Sequence, residues 1–125
     1  MDYSFKIINS SAGSGKTFKL AIEYISKLFS KQNDDHFKSM LALTFTNKAS
    51  AEMKYRILLF LNDLKHQRDK IVLQQIVKTT SLDESAIQKR AATILQKILY
   101  NYSNFNVLTI DSFTNNIIRN VNTEL

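Results

Sequence analysis

A chain of 125 residues, 44% hydrophobic and 22% charged, is long enough for one domain that buries roughly two-thirds of its unfolded surface. The absence of cysteine excludes a disulfide framework, a Cys-ligated zinc or cluster site and a thiol nucleophile. A net charge of +6 and a pI near 9.6 favour a polyanionic partner, although charges of about 2–8 also serve solubility.

No apolar run approaches the roughly 18 residues of a membrane span. Met1-Asp2-Tyr3-Ser4 carries an early acid and no long apolar region, so a signal peptide is not expected. The expectation is a cytoplasmic protein with no membrane partner.

The first element is Phe5-Lys6-Ile7-Ile8-Asn9, a short apolar run that predicts a strand. Ser10-Ser11-Ala12-Gly13-Ser14-Gly15-Lys16-Thr17 follows and holds both glycines of the chain, where average usage gives roughly nine. A Gly-rich turn between a strand and a helix lets backbone N–H groups converge on an anion, and the helix N-terminus adds its dipole. In such a loop Lys16 reaches the β- and γ-phosphates of ATP and the Thr17 hydroxyl ligates Mg²⁺. This is the Walker A arrangement, with Ser10 where Gly or Ala is usual. The helix after it is predicted by the stripe Phe18, Ile22, Ile25 and Phe29, with Ala21 and Leu28 beside it. The alternative is that Gly-Ser-Gly is only a loop and Lys16 a surface lysine.

Residues 31–36 read as a polar loop in which His36 is solvated, as is His66. Ser39 to Phe45 is nearly continuous in apolar residues and predicts a strand buried on both faces. Thr46 or Asn47 then caps a helix that turns Ala49, Met53, Ile57, Phe60, Leu61 and Leu64 inward, ending near 65–70. A helical stretch with Ile71, Val72, Leu73, Ile76 and Val77 is interrupted at Thr79-Thr80. Ser81-Leu82-Asp83-Glu84 predicts a capping box for a helix with Ala86, Ile87, Ala91, Ile94, Leu95, Ile98 and Leu99 inside. After a turn at 101–104, Phe105 to Ile110 is the third strand. Asp111-Ser112 caps a last helix with Phe113, Ile117, Ile118 and Val121 on its inner side. Three strands, each followed by helix, predict an α/β fold with a parallel sheet and right-handed crossovers.

In such a sheet ligands gather at the carboxyl ends of the strands, and here those ends carry three motifs. Ser11 to Thr17 resembles motif I of the superfamily-one UvrD/Rep helicases. Leu43-Thr44-Phe45-Thr46-Asn47-Lys48-Ala49-Ser50-Ala51-Glu52-Met53-Lys54 resembles their motif Ia, and Thr109-Ile110-Asp111-Ser112-Phe113 resembles their Thr-Phe-His-Ser segment. Phe18 after the Lys-Thr pair, and no Gln motif before Walker A, are similar to the RecB/AddA helicase–nuclease branch.

The resemblance implies a RecA-like, three-layer P-loop NTPase sheet with flanking helices, truncated, with residues 1–125 the N-terminal part of the first motor domain. It implies ATP and Mg²⁺ at Ser11, Ala12, Gly13, Ser14, Gly15, Lys16, Thr17 and Phe18, with Lys16 and Thr17 catalytic. It implies single-stranded DNA at Phe45, Thr46, Asn47, Lys48 and Ser112. Every base offers a π-face to an aromatic such as Phe45; otherwise Phe45 is the last core residue of its strand. Asp111, where His is usual, repels phosphate unless it caps the helix or is paired.

The family's Walker B acids, arginine fingers and second motor domain have no counterpart within these residues. Weak nucleotide binding and negligible turnover are therefore expected of the chain alone, whose partners would be the remainder of the helicase chain and a nuclease subunit. Exposed apolar faces and self-association are also expected. Two other readings remain open: a small P-loop kinase with Asp111 on Mg²⁺, and a non-catalytic DNA-binding module.

Overall fold

The structure is a computed structural model and describes residues 4–8 and 15–124. Its elements are β1 (Ser4–Ile8), α1 (Gly15–Ser30), β2 (Met40–Thr44), α2 (Asn47–His66), α3 (Lys70–Thr80), α4 (Glu84–Tyr100), β3 (Val107–Thr109) and α5 (Ile110–Glu124). Short 3₁₀ turns at His36–Ser39 and Tyr102–Asn104 lead into β2 and β3. The strands form one parallel sheet in the order β1-β2-β3.

An order that advances one strand at a time, with right-handed crossovers, carries all the connecting helices on one face. The core reflects this. Met40, Ala42 and Val107 join the inward faces of α1 to α4 in one hydrophobic cluster, whereas Leu41, Leu43 and Leu108 lie outside it. The connecting helices α1 to α4 thus pack on one face of the sheet, while Leu43 on the other face is also buried.

Each helix is placed by its apolar stripe. On α2 the six residues expected inside, Ala49 to Leu64, are all buried. On α1 the residues buried in the core are Ala21, Tyr24, Ile25, Leu28 and Phe29, with Phe18 and Ile22 half-buried beside them. Leu99, expected inside, is exposed at the margin of the α4 stripe, and Ile71 at the start of α3 is exposed as well. The inner side expected for α5 is also exposed at Ile117, Ile118 and Val121. These residues have the right spacing for a buried stripe, yet no described element lies over them.

The chain's stops and starts differ from expectation where two hydroxyl or carboxylate residues compete. Ser81 does not open α4. It closes α3 in the left-handed region at φ 61°, its N–H donating to the Val77 carbonyl at 2.9 Å. Asp83 caps α4 instead, accepting from the Ala86 N–H at 2.7 Å. Thr79 and Thr80 are the last two residues of α3, their hydroxyls donating back to the carbonyls of Gln75 and Ile76, and the break falls just after them at Ser81. His36 is buried within its 3₁₀ turn and not solvated, while His66 is exposed.

Tyr24 is 5% exposed, its ring meets Phe105 at 72°, and its hydroxyl has no hydrogen-bond partner. Burial pushes its phenol above the ordinary range. A buried hydroxyl without a partner costs about 1–3 kcal/mol, so Tyr24→Phe should leave stability unchanged or raise it. The phenol that stays neutral in the fold ionises in the unfolded chain above pH about 10. Its contribution is therefore present below that pH and lost as pH rises. Chemical denaturation of the variant from pH 7 to 11 should show a shallower alkaline loss than the parent.

Candidate functional site

The register fixes where the strands end. Ile8 lies opposite Thr44, and Thr44 lies opposite Thr109, so the three carboxyl ends are level along one edge of the sheet. α1 begins seven residues after β1, at Gly15. Ser11, Ala12, Gly13 and Ser14 lie outside the described residues. Gly15 and Lys16 are exposed and Thr17 is buried. A Cβ built on Gly15 would meet nothing within 4 Å, so packing does not explain this glycine. The first turn of α1 contains no acidic residue, and its leading N–H groups have no intrahelical acceptor. An anion meets no carboxylate repulsion from that turn. The Phe18 ring stands edge-on to Phe60 at 5.2 Å and also lines a groove with Gly15, Ile22 and Gln75.

At the second strand end, Thr44 is fully buried and its hydroxyl is within hydrogen-bond distance of two carbonyls, Thr46 at 3.1 Å and Leu108 at 3.3 Å. This ties the turn to both β2 and β3. The Thr46 hydroxyl accepts from the Ala49 N–H at 3.0 Å and caps α2. Between these two anchors Phe45 is turned outward and is 55% exposed, so it is not the last core residue of its strand. Thr46, Asn47 and Lys48 are exposed beside it.

At the third strand end, β3 stops at Thr109 and α5 begins at once with Ile110, ahead of a cap at Asp111. The Thr109 hydroxyl accepts from the Ser112 N–H at 3.1 Å and lies 2.9 Å from the Ser112 hydroxyl. Thr109 is the side chain that caps α5. Ser112 is exposed and lines one groove with Asn47. Asp111 is exposed in the first turn of α5, where its charge suits the positive end of the helix dipole.

The structure therefore brings Asn47 and Ser112 together, with Phe45, Thr46 and Lys48 beside them in the chain. Two anchoring hydroxyls, Thr44 and Thr109, escaped the sequence reading. The signal for Thr109 was its spacing, since Thr109 to Ser112 repeats the Thr46 to Ala49 interval of a helix cap. Among the described residues no group of His, Cys, Asp or Glu is arranged to hold a metal, and no helix is long and apolar enough to cross a membrane.

The family model described as the UvrD/REP helicase N-terminal domain matches residues 4–125. The chain is 32% identical over 115 residues to an ATP-dependent helicase/nuclease subunit of Listeria innocua, covering 90% of the chain and 7% of that protein. It is 30% identical over 107 residues to the same-named subunit of Ruminiclostridium cellulolyticum, covering 84% and 8%. It is also 29% identical over 126 residues to the RecBCD enzyme subunit RecB of Buchnera aphidicola, covering 91% and 10%. The chain thus spans about a tenth or less of the length of these relatives. No solved structure matches it. With the family match running through all three strand ends, the chain belongs to the UvrD/REP helicase N-terminal domain family.

Proposed function

We propose that residues 1–125 are the ATP-binding first part of the motor domain of an ATP-dependent DNA helicase or helicase–exonuclease subunit that translocates on single-stranded DNA. In this reading the sheet is one portion of a three-layer, RecA-like P-loop fold. The protein works in the cytoplasm, joined by the remainder of the helicase chain and by a nuclease subunit. The names of the relatives, which couple helicase to nuclease and in one case to a RecBCD complex, support the assignment.

The observation that carries the reading is the level line of strand ends, Ile8 to Thr44 to Thr109. Each is followed by residues suited to a phosphate or a base. ATP with Mg²⁺ would be held by Ser11, Ala12, Gly13, Ser14, Gly15, Lys16, Thr17 and Phe18, and it supplies the free energy for movement on hydrolysis. Lys16 would offset the negative charge on the phosphoryl oxygens, and the Thr17 hydroxyl would help hold the metal. Phe45 presents a ring face to a base, with Thr46, Asn47, Lys48 and Ser112 toward the nucleic-acid backbone. The exposed position of Asp111 in α5, beyond the end of β3, weighs against a small kinase that would use it at a strand end to hold Mg²⁺.

The test is a pair of titrations, ATP·Mg²⁺ by calorimetry and oligothymidylate by fluorescence anisotropy. Phe45→Ala should weaken oligonucleotide binding about 5- to 100-fold, the loss of one stacked base, with nucleotide binding unchanged. Oligonucleotide binding indifferent to Phe45 would sink the assignment of this turn.

A further inference from the structure

The groove that holds Asn47 and Ser112 does not stop at the strand ends. It continues along α2 past Lys54 and Tyr55 to Leu58, with β3 and Tyr102 on its other side, and encloses about 560 Å³. From Asn47 to Leu58 the α2 wall rises about 16 Å, room for a short run of nucleotides.

Its lining has the chemistry of a single-strand path. Tyr55 is 63% exposed, so its ring is open to a base. The Lys54 ammonium stands 5.4 Å from the centroid of the Tyr102 ring, which holds a positive charge beside the groove where a phosphate can meet it. A protein strand adding to the free edge of β3 is less well accommodated. β3 is three residues long, and the Ser50 hydroxyl already donates to the Val107 carbonyl at 3.0 Å. An edge both short and capped offers little to a pairing strand.

We propose that this groove is a second contact for single-stranded nucleic acid, taking the nucleotides next to those at Phe45. Tyr55 stacks on a base, Lys54 pairs with a phosphate, and Tyr102 positions Lys54. The proposal rests on the reading of the Phe45–Lys48 turn as a nucleic-acid contact and extends it away from the strand ends.

The experiment follows oligothymidylate of about 10 nucleotides by anisotropy over a salt series. It uses the parent chain, Phe45→Ala, Tyr55→Ala, Tyr55→Phe and Lys54→Gln, each checked for parental circular dichroism. Tyr55→Ala should weaken binding about 5- to 100-fold, whereas Tyr55→Phe, which keeps the ring, should bind within about two-fold of the parent. Lys54→Gln should lower the slope of log K against log salt by about 0.7, the value for one phosphate of a single strand. If Phe45→Ala weakens binding but the Tyr55 and Lys54 variants keep the parental affinity and slope, the groove proposal is overturned and the reading of the turn stands. If none of these variants changes binding, or the parent does not bind, both are overturned. If Tyr55→Ala abolishes self-association in sedimentation and leaves oligonucleotide binding intact, the groove belongs to a second copy of the chain and the proposal is overturned.

Discussion

Arg90→Ala is expected to destabilise the fold by about 2–4 kcal/mol, a fall in melting temperature on the order of 10 °C for a domain of this size. Arg90 projects from α4 to the end of α1. Its Nε donates to Asp34 Oδ1 at 2.9 Å, one terminal nitrogen to the Phe29 carbonyl at 3.1 Å and the other to the Lys31 carbonyl at 2.6 Å. The guanidinium also lies 5.3 Å from the centre of the Phe29 ring. One planar fork thus satisfies carbonyls that the end of a helix leaves without partners and pairs a carboxylate at the same time. The side chains of Arg90 and Asp34 are only 20% and 27% exposed, so water replaces these bonds poorly, and hydrogen bonds to charged groups run about 1.5–3 kcal/mol. Arg90→Lys should recover little of the loss, since an ammonium cannot address three acceptors in a plane. By contrast Lys97, whose pair with Asp35 at 3.3 Å is about two-fifths exposed, should cost less than about 1 kcal/mol as alanine. Thermal melts of the three variants give the order directly. Equal losses for Arg90→Ala and Lys97→Ala would refute the clamp.

Arg90 also shows what the sequence could not supply. Its partners are mostly backbone carbonyls, which carry no residue signature, and α4 read only as a packing helix. The same holds for Thr44 and Ser50, whose hydroxyls reach carbonyls of β3 more than fifty residues away. Periodicity was enough for α2, where spacing alone identified the buried stripe, and for the parallel strands, whose apolar runs stand between turn residues. It failed on α5 because periodicity states which face is apolar, not whether anything covers it. It shifted the α4 cap by two residues because Ser81 and Asp83 both have capping chemistry, and the choice depends on where α3 ends. The site was legible to the extent that it sits in contiguous motifs. The outward turn at Phe45 follows from a motif, while the groove beyond it depends on Lys54 and Tyr102, nearly fifty residues apart in sequence and adjacent only in the fold.

Lys16→Ala is expected to weaken binding of ATP·Mg²⁺ by about 10- to 100-fold while leaving both the fold and oligonucleotide binding within about two-fold of the parent. Lys16 is exposed in the first turn of α1, so its removal takes no core contact and should change stability by less than about 0.5 kcal/mol. What it removes is the one lysine of the loop, a mobile point charge for a polyphosphate. A charge-assisted hydrogen bond of about 1.5–3 kcal/mol corresponds to that range of affinity at 1.4 kcal/mol per tenfold. The separation of effects is the decisive feature. Phe45 and Lys16 follow different strands, and each should govern its own ligand when the two titrations are run on both variants. Parent-like nucleotide affinity in Lys16→Ala would remove the P-loop assignment. Oligonucleotide binding without any nucleotide binding in the parent would instead make the chain a DNA-binding module, whose Gly-Ser-Gly turn serves only to join β1 to α1. A crossed pattern, in which each substitution impairs one ligand alone, is the outcome that a motor domain with two ligand sites along one sheet edge requires.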